Sequence, residues 1–370
     1  MSSSGSTERW KPVYTITPAI VRHLQSIEAA RTAVQLMPLP PSVAVDLRRQ
    51  ARLRSTHYST RIEGNRLTLA QAEEVIEHKV AIPRRERDVG EVRNYWNALL
   101  AVEEMADRRA PLTEEVIRKL HALVMKGKRA KPTPYRDGQN AVRDQSTNAI
   151  VYLPPEAGDV PALMAEMVAW VQRSEKDRLP APLIAGLLHY QFVTIHPYYD
   201  GNGRTARLLA TFILQRGGYG LEGLYSLEEY HARELERYYR AVATHPHHNY
   251  YEGRADVDLT GWLEYFTELL TEAFDAVRAE AVRRAAKQPA AEPAMVRRLD
   301  RRARIILGLF SRTETLSTGE MAAALGISAR MARNLVNEWI ATDFLVSIGA
   351  AKKTRRYGLT EEYRKYIGNE

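Results

Sequence analysis

Between His196 and Arg207 the chain reads His-Pro-Tyr-Tyr-Asp-Gly-Asn-Gly-Arg-Thr-Ala-Arg. His196 carries an imidazole that titrates near neutrality and can take a proton from a hydroxyl nucleophile. Gly201, Asn202 and Gly203 form a tight turn that feeds a helix start, where unpaired backbone N–H groups and the positive dipole end favour phosphate. Arg204 and Arg207, three positions apart, share one face of the first turn with Thr205 and Ala206 between them. Both guanidinium groups can then reach one polyphosphate in bidentate fashion. Asp200 is a hard oxygen ligand beside that seat, suited to Mg²⁺ shared with substrate phosphate oxygens. These residue types in this order point to displacement at phosphorus by a hydroxyl.

The segment must be held by helices on both sides. Leu183-Ile-Ala-Gly-Leu-Leu-His-Tyr-Gln-Phe-Val193 is apolar throughout and reads as a buried helix, with His189 as a packed residue within it. A second helical period runs from Arg204 to Gln215 and stops at Gly217-Gly218, a helix C-terminal signal.

Upstream, helical patterns cover residues 20–37, 42–60, 73–79, 89–105 and 113–124, the first two broken by Pro38-Leu-Pro-Pro41. Residues 126–147 are a Gly-, Pro- and charge-rich loop. Asn148-Ala-Ile-Val-Tyr-Leu-Pro-Pro155 is a short strand closed by prolines, one arm of a hairpin. Helices resume at 160–172 and continue to Leu270. His245-Pro-His-His248 lacks carboxylate spacing and reads as solvated loop rather than metal site. The expected domains are an N-terminal helical region (1–110), a catalytic core (111–280), an Ala-, Arg- and Pro-rich linker (281–296) and a small C-terminal domain (297–370). In the last, helices at 304–310, 317–325 (with Ser317 and Glu320 at capping-box spacing) and 329–341 precede two strands around a basic tip. That order resembles a winged helix. Arg330, Arg333 and Asn334 would face a DNA groove, and Lys352, Lys353, Arg355 and Arg356 the phosphates.

The chain has 370 residues, enough for two or three cores, and its net charge is +8. Residues 297–356 hold twelve Lys and Arg against five Asp and Glu, nearly the whole excess, so this end suits an anionic partner. The absence of cysteine excludes disulfides and thiolate metal sites. The polar N-terminus lacks the apolar core of a signal peptide, and no apolar run reaches membrane-spanning length. A cytoplasmic protein is expected.

The His196–Arg207 segment resembles the signature of the Fic family, H-P-F-x-D/E-G-N-G-R-x-x-R, with Tyr198 in place of the usual Phe. Ser59-Thr-Arg-Ile-Glu63-Gly64 is similar to that family's inhibitory motif, placed N-terminal to the core. The resemblance implies that Glu63 pairs with Arg207 and takes the space of a γ-phosphate, leaving ATP in a pose unfit for attack. Residues 148–153 fall where the family carries a flap that docks the target by strand addition, which assigns Ile150, Val151 and Tyr152 to target docking. Tyr238 and Tyr239 fall where the family walls its adenine pocket. The implied fold is mainly α, a helical Fic core with a small β-hairpin flap followed by a winged helix. The implied activity is protein adenylylation: AMP passes from ATP, with Mg²⁺ on Asp200, to a Ser, Thr or Tyr hydroxyl, and pyrophosphate leaves. His196 would be the base; Gly201, Asn202 and Gly203 the anion hole; Arg204 and Arg207 the β- and γ-phosphate clamp. Expected partners are ATP, a protein target, DNA through residues 297–356 and a second copy of the chain. Two other readings are removal of AMP or another nucleotidyl or phosphoryl transfer at the same site, and a DNA-binding regulator whose core senses nucleotide.

Overall fold

The first apolar period forms helix α1 (Pro18–Leu36), whose buried Ile20, Ile27, Ala30 and Val34 lie along one stripe. This computed structural model describes residues 10–36, 41–128, 131–143, 147–243, 247–287, 294–310, 313–325, 327–348, 355–365 and 367. Pro38 of the expected break lies outside them, as do His245, Lys352 and Lys353. Helix α2 (Pro41–Ile62) ends one residue before Glu63. Helix α3 (Leu69–Glu77) opens on a capping box between Thr68 and Gln71. Helix α4 (Glu86–Asp107) precedes α5 (Glu114–Lys126), where the Thr113 hydroxyl accepts the Val116 N–H at 3.2 Å. A short antiparallel hairpin follows, β1 (Val142–Arg143) on β2 (Ile150–Tyr152), with an irregular register between Val142 and Arg143.

Helix α6 (Val160–Lys176) leads to α7 (Ala181–Ile195), which is apolar all round and therefore buried almost throughout. It packs on α6 and, most extensively, on α8 (Asn202–Leu214). The Gly217-Gly218 stop takes the form of a π-turn over Gln215–Tyr219, in which Gly218 holds φ +85°. Helices α9 (Leu227–Arg233) and α10 (Leu235–Val242) complete this region before α11 (Thr260–Lys287). The Trp262 indole N–H on α11 donates to the Gly186 carbonyl on α7 at 2.7 Å. A Cβ at Gly186 would stand 2.9 Å from the Phe266 ring, so the two helices approach this closely only with glycine there.

The chain divides into two compact units, residues 1–34 with 50–278, and residues 35–49 with 279–370. The regions expected on either side of residue 110 share the first unit, because α4 packs on both α5 and α8. Residues 281–287, expected as linker, continue α11, in keeping with the helix propensity of their alanines. Residues 288–293 lie outside the described set.

The second unit holds α12 (Ala294–Arg297), α13 (Arg301–Leu309), β3 (Leu316–Ser317), α14 (Thr318–Leu325), α15 (Ala329–Ala341), β4 (Leu345–Ile348), β5 (Arg356–Leu359) and α16 (Glu361–Arg364). Its antiparallel sheet runs β3-β5-β4. Its core gathers Ile306, Leu307, Phe310, Val336, Trp339 and Phe344. The Ser317–Glu320 capping box forms in both directions, Ser317 N–H to Glu320 at 2.6 Å and Glu320 N–H to Ser317 Oγ at 3.2 Å. Among the described residues no helix is long and apolar enough to cross a membrane.

One aromatic seats the α7–α8 loop. Tyr198 is buried and its ring stacks on His121 of α5 at 3.5 Å and 13°. Its hydroxyl is buried with no protein partner, so it contributes a desolvation cost and no bond. Tyr198→Phe should leave the thermal unfolding midpoint of this unit unchanged, or raise stability by up to about 1 kcal/mol. A loss of more than about 1 kcal/mol would show that the hydroxyl is satisfied in solution.

Candidate active site

His196 ends α7 in the left-handed region (φ 52°, ψ 58°), its N–H still bonded to the Phe192 carbonyl at 3.0 Å. Its Nδ1 lies 3.2 Å from the Val193 carbonyl. A carbonyl only accepts, so Nδ1 carries the proton and the neutral ring presents Nε2 as the acceptor. Burial holds the His196 pKa below its ordinary value. The Val193 carbonyl opposes that shift, Arg136 adds to it, and Glu63 and Asp200 oppose it more weakly. The ring is therefore neutral at pH 7, the state a base requires.

The loop after His196 is held through its carbonyls. Arg136 is buried, and its Nε donates to the His196 carbonyl at 3.0 Å while its own N–H donates to Pro197 at 2.9 Å. The same guanidinium donates to the carbonyls of Gly138 and Pro155, which ties the loop to the hairpin base. Asn202 accepts the Tyr198 N–H at 3.0 Å and donates back to the Tyr198 carbonyl at 2.7 Å. His121 Nε2 donates to the Asp200 carbonyl at 2.8 Å, and the Thr205 hydroxyl donates to Gly201 at 2.8 Å. Gly201 turns with φ +78°, and a Cβ there would meet Met125 Sδ at 2.6 Å. Asn202 and Gly203 then open α8, with Ala206 wholly buried behind them.

The two arginines have different partners. Arg207 has a side chain only 1% exposed. Its Nε donates to Ser59 Oγ at 2.9 Å, and its Nη2 to the Ser59 carbonyl at 2.9 Å and to Glu63 Oε1 at 2.8 Å. Burial disfavours its charge, but Glu63, together with Tyr238 and Tyr95, outweighs burial and holds the guanidinium above its ordinary value. Arg204 donates to Asp200 Oδ1 at 3.2 Å and faces Glu91 at 3.8 Å, while its buried Nε has no protein partner. Both groups flank the amino end of α8, but neither is free in this conformation.

Glu63 reaches that end from a turn. Past α2, the Glu63 and Asn65 N–H groups donate to Thr60 (3.1 Å each) and the Gly64 N–H to Arg61 (2.9 Å). Gly64 holds φ +89°, which the turn requires. The carboxylate lies against the first turn of α8: a Cβ at Gly203 would stand 2.3 Å from Glu63 Oε1.

Asp200 is over half exposed. Its Oδ1 accepts from the Gly201 N–H at 2.6 Å and from Arg204. Among the described residues no group of three or more His, Asp or Glu could hold a metal ion. One carboxylate beside a phosphate seat fits Mg²⁺ held jointly with substrate oxygens, and it fits no ion held by protein alone.

Tyr238 and Tyr239 lie side by side, their ring centroids 5.3 Å apart, and both are within reach of the Glu63 and Arg207 charges. Tyr238 is buried, shares a hydrogen bond with His189 at 3.0 Å and packs on His231, while Tyr239 is 51% exposed. Two expectations are corrected. Tyr152 cannot register a target through its side chain. It is buried, its hydroxyl donates to the Thr194 carbonyl at 2.7 Å and Arg254 covers its ring. Ile150 and Val151 remain exposed. Arg356 is engaged by Thr315 (2.7 Å) and Glu320 (3.2 Å) rather than free for phosphate.

His121, Arg136, Glu91 and Asn65 were missed from the sequence. They act through backbone carbonyls or across long separations, and neither leaves a periodic trace. The one available signal was Pro134-Tyr-Arg-Asp-Gly138, a turn-forming run with a charge inside it.

Residues 111–214 match the model of the Fic/DOC family. A protein adenylyltransferase Fic of Drosophila willistoni is 30% identical over 199 residues, 54% of this chain and 39% of that protein. That of Drosophila yakuba is 29% identical over the same extents. The chain thus spans about two fifths of the length of these curated relatives. A Fic family protein from Desulfovibrio desulfuricans has a crystal structure similar to this chain, with 28% identity, a TM-score of 0.58 and coverage of 95% of this chain and 99% of that one. Fic-1 of C. elegans shares the fold at 22% identity and a TM-score of 0.55, over 73% of this chain and 74% of that one. The loop between α7 and α8 and its two arginines lie within residues 111–214 and are accordingly those of a Fic domain.

Proposed function

We propose that this chain is a protein adenylyltransferase that moves AMP from ATP to a Ser, Thr or Tyr hydroxyl and is restrained by Glu63. The observation that carries the reading is the Glu63 carboxylate on Arg207 against the first turn of α8. In the folded chain this pole already binds anionic oxygen, at the place the signature gives to the terminal phosphate.

On this reading the target hydroxyl gives its proton to His196 Nε2 as its oxygen bonds the α-phosphorus. The bond to the bridging oxygen breaks, and pyrophosphate leaves with the electron pair. The α8 N–H groups and Arg204 receive the phosphate charge, and Arg207 joins them once Glu63 withdraws. Mg²⁺, with Asp200 as its protein ligand, would supply charge neutralisation between the phosphates. Ile150 and Val151 offer exposed side chains to a target segment. The adenylyltransferase names of the Drosophila relatives support the reaction class.

His196→Ala should lower AMP transfer by about 10²–10⁴-fold while leaving ATP affinity largely intact, because the base is no phosphate contact. Normal labelling from α-labelled ATP would exclude this mechanism. A depressed base is lost only on acidification. The kcat/KM profile should therefore stay flat from pH 7 upward on its acid limb and fall only below the ordinary histidine pKa of about 6.5. An acid limb above pH 7 would remove His196 from the role.

Glu63→Gly should raise labelling of the chain or of lysate targets by about 5- to 150-fold, the usual span of such coupling. Flat labelling across several target mixtures would make Glu63 a structural or hydrolytic residue.

The second unit supports a separate reading as a DNA-binding winged helix. Arg330, Arg333 and Asn334 all lie on the exposed face of α15, opposite buried Ala332, Val336 and Trp339. Binding to duplex DNA by the full chain should weaken with salt, by about 0.9 in log K per neutralised phosphate for each log unit. Arg330→Ala or Arg333→Ala should blunt sequence preference. A mobility shift absent at every salt concentration would leave this unit as a protein-interaction module.

A further inference from the structure

The turn that carries Glu63 is anchored at a second point. Asn65 is buried and its Nδ2 donates to the Asp88 carbonyl and to Glu91 Oε2, both at 3.0 Å, while its Oδ1 accepts the Leu67 N–H at 3.1 Å. Glu91 is on α4 and mostly buried. Its other oxygen accepts from Arg87 at 3.0 Å and faces Arg204 Nη1 at 3.8 Å. The neighbouring residues Glu63 and Asn65 thus reach both arginine systems of the site. Glu63 holds Arg207 directly, and Asn65 holds the carboxylate that faces Arg204.

Arg204 is the less satisfied of the two. Among the described residues its buried Nε has no protein partner and Asp200 is the one carboxylate at hydrogen-bond distance, with Glu91 just beyond that distance. A buried guanidinium with an open donor is oriented by whatever charge lies nearest. The amide of Asn65 occupies Glu91 Oε2, so the position of the turn and the pull of Glu91 on Arg204 are not independent.

We propose that Asn65 and Glu91 form a second latch of the inhibitory turn, in which Asn65 holds the turn closed and Glu91 is the positioning residue shared with Arg204. This rests on the adenylyltransferase reading for its kinetic consequences, but the latch is also a statement about the turn itself. Release requires both contacts to break, Glu63 from Arg207 and Asn65 from Glu91. With the turn gone, Glu91 remains beside Arg204 and keeps its fork aimed at the α8 amino end.

The test uses the full chain with Asn65→Ala, Asn65→Asp and Glu91→Gln, each alone and with Glu63→Gly. Asn65→Asp sets two carboxylates where amide and carboxylate met, so it serves if the alanine variant folds poorly. Hydrogen exchange of the amides of residues 63–67, without nucleotide, should speed at least about tenfold in both Asn65 variants. Transfer from α-labelled ATP should rise several-fold in these variants alone. It should change by less than about twofold when Glu63→Gly is already present, since contacts in one network are not additive. Glu91→Gln still accepts from Asn65 but loses its charge. With Glu63→Gly it should raise the KM for ATP about fivefold with little change in kcat, and Glu91→Asp should restore part of it. A merely structural role would instead lower the unfolding midpoint and leave this split unmoved. Unchanged exchange at residues 63–67, or an Asn65 effect equal in both backgrounds, would overturn the latch. If exchange responds while no variant transfers AMP or binds ATP, the latch stands and the adenylyltransferase reading fails.

Discussion

A cation sealed inside a helical core is the constraint on which this site is built. Arg207 has almost no contact with solvent, and a buried charge without a partner is several kilocalories unfavourable. Its partners come from the end of α2, 144 to 148 positions earlier in the chain. Ser59 supplies a hydroxyl and a carbonyl, both neutral, and Glu63 the only charge it bonds among the described residues. The neutral pair is fixed by the helix itself, whereas Glu63 sits beyond the last helical residue on a glycine turn. Ser59 keeps the guanidinium aimed, and the carboxylate compensates its charge. On the proposed reading the neutral pair stays and the carboxylate leaves.

The catalytic loop shows the same economy with opposite signs. Arg136 is buried and donates to backbone carbonyls and the Gln139 amide oxygen, and among the described residues to no carboxylate. Burial lowers its pKa, yet a guanidinium keeps its proton under any such shift. It therefore stands as a fixed positive charge behind His196, fastening the loop and disfavouring the imidazolium in one stroke. His121 does the neutral half of the work: burial brings its pKa down to about 4, so it holds the Asp200 carbonyl as an uncharged donor across the working pH range.

How much of this was legible in the sequence follows from distance along the chain. The His196–Arg207 segment is contiguous, and its flanking helices carry strong apolar periodicity, so the loop and both helices could be read directly. The Glu63–Arg207 contact spans 144 residues; only resemblance to a known motif brought the two together. Tyr238 and Tyr239 were placed near the site only by resemblance, because composition does not say which of two adjacent helical residues faces inward. Their split between core and solvent is decided by His189, His231 and Trp262 packing around the first. Arg356 read as a free cation in a basic run, but pairing of β5 with β3 brings it to the capping box of α14. Side-chain bonds to carbonyls, such as those of Arg136, leave no pattern because any residue offers a carbonyl.

Gly203 joins the restraint to the chemistry. A Cβ at this position would lie within 2.3 Å of Glu63 Oε1 and 3.2 Å of an Arg207 nitrogen, so the carboxylate can rest there only on bare backbone. On the proposed reading a phosphate oxygen approaching Gly203 would meet the same steric limit, and the internal carboxylate and the nucleotide would compete for one place. On that reading linkage would make the competition reciprocal: whatever loosens the turn would tighten nucleotide in its reactive pose by the same factor, and nucleotide so placed would loosen the turn. Arg207 and Gly203 would then serve both states, with the Asn65–Glu91 contact as the second hold on the turn.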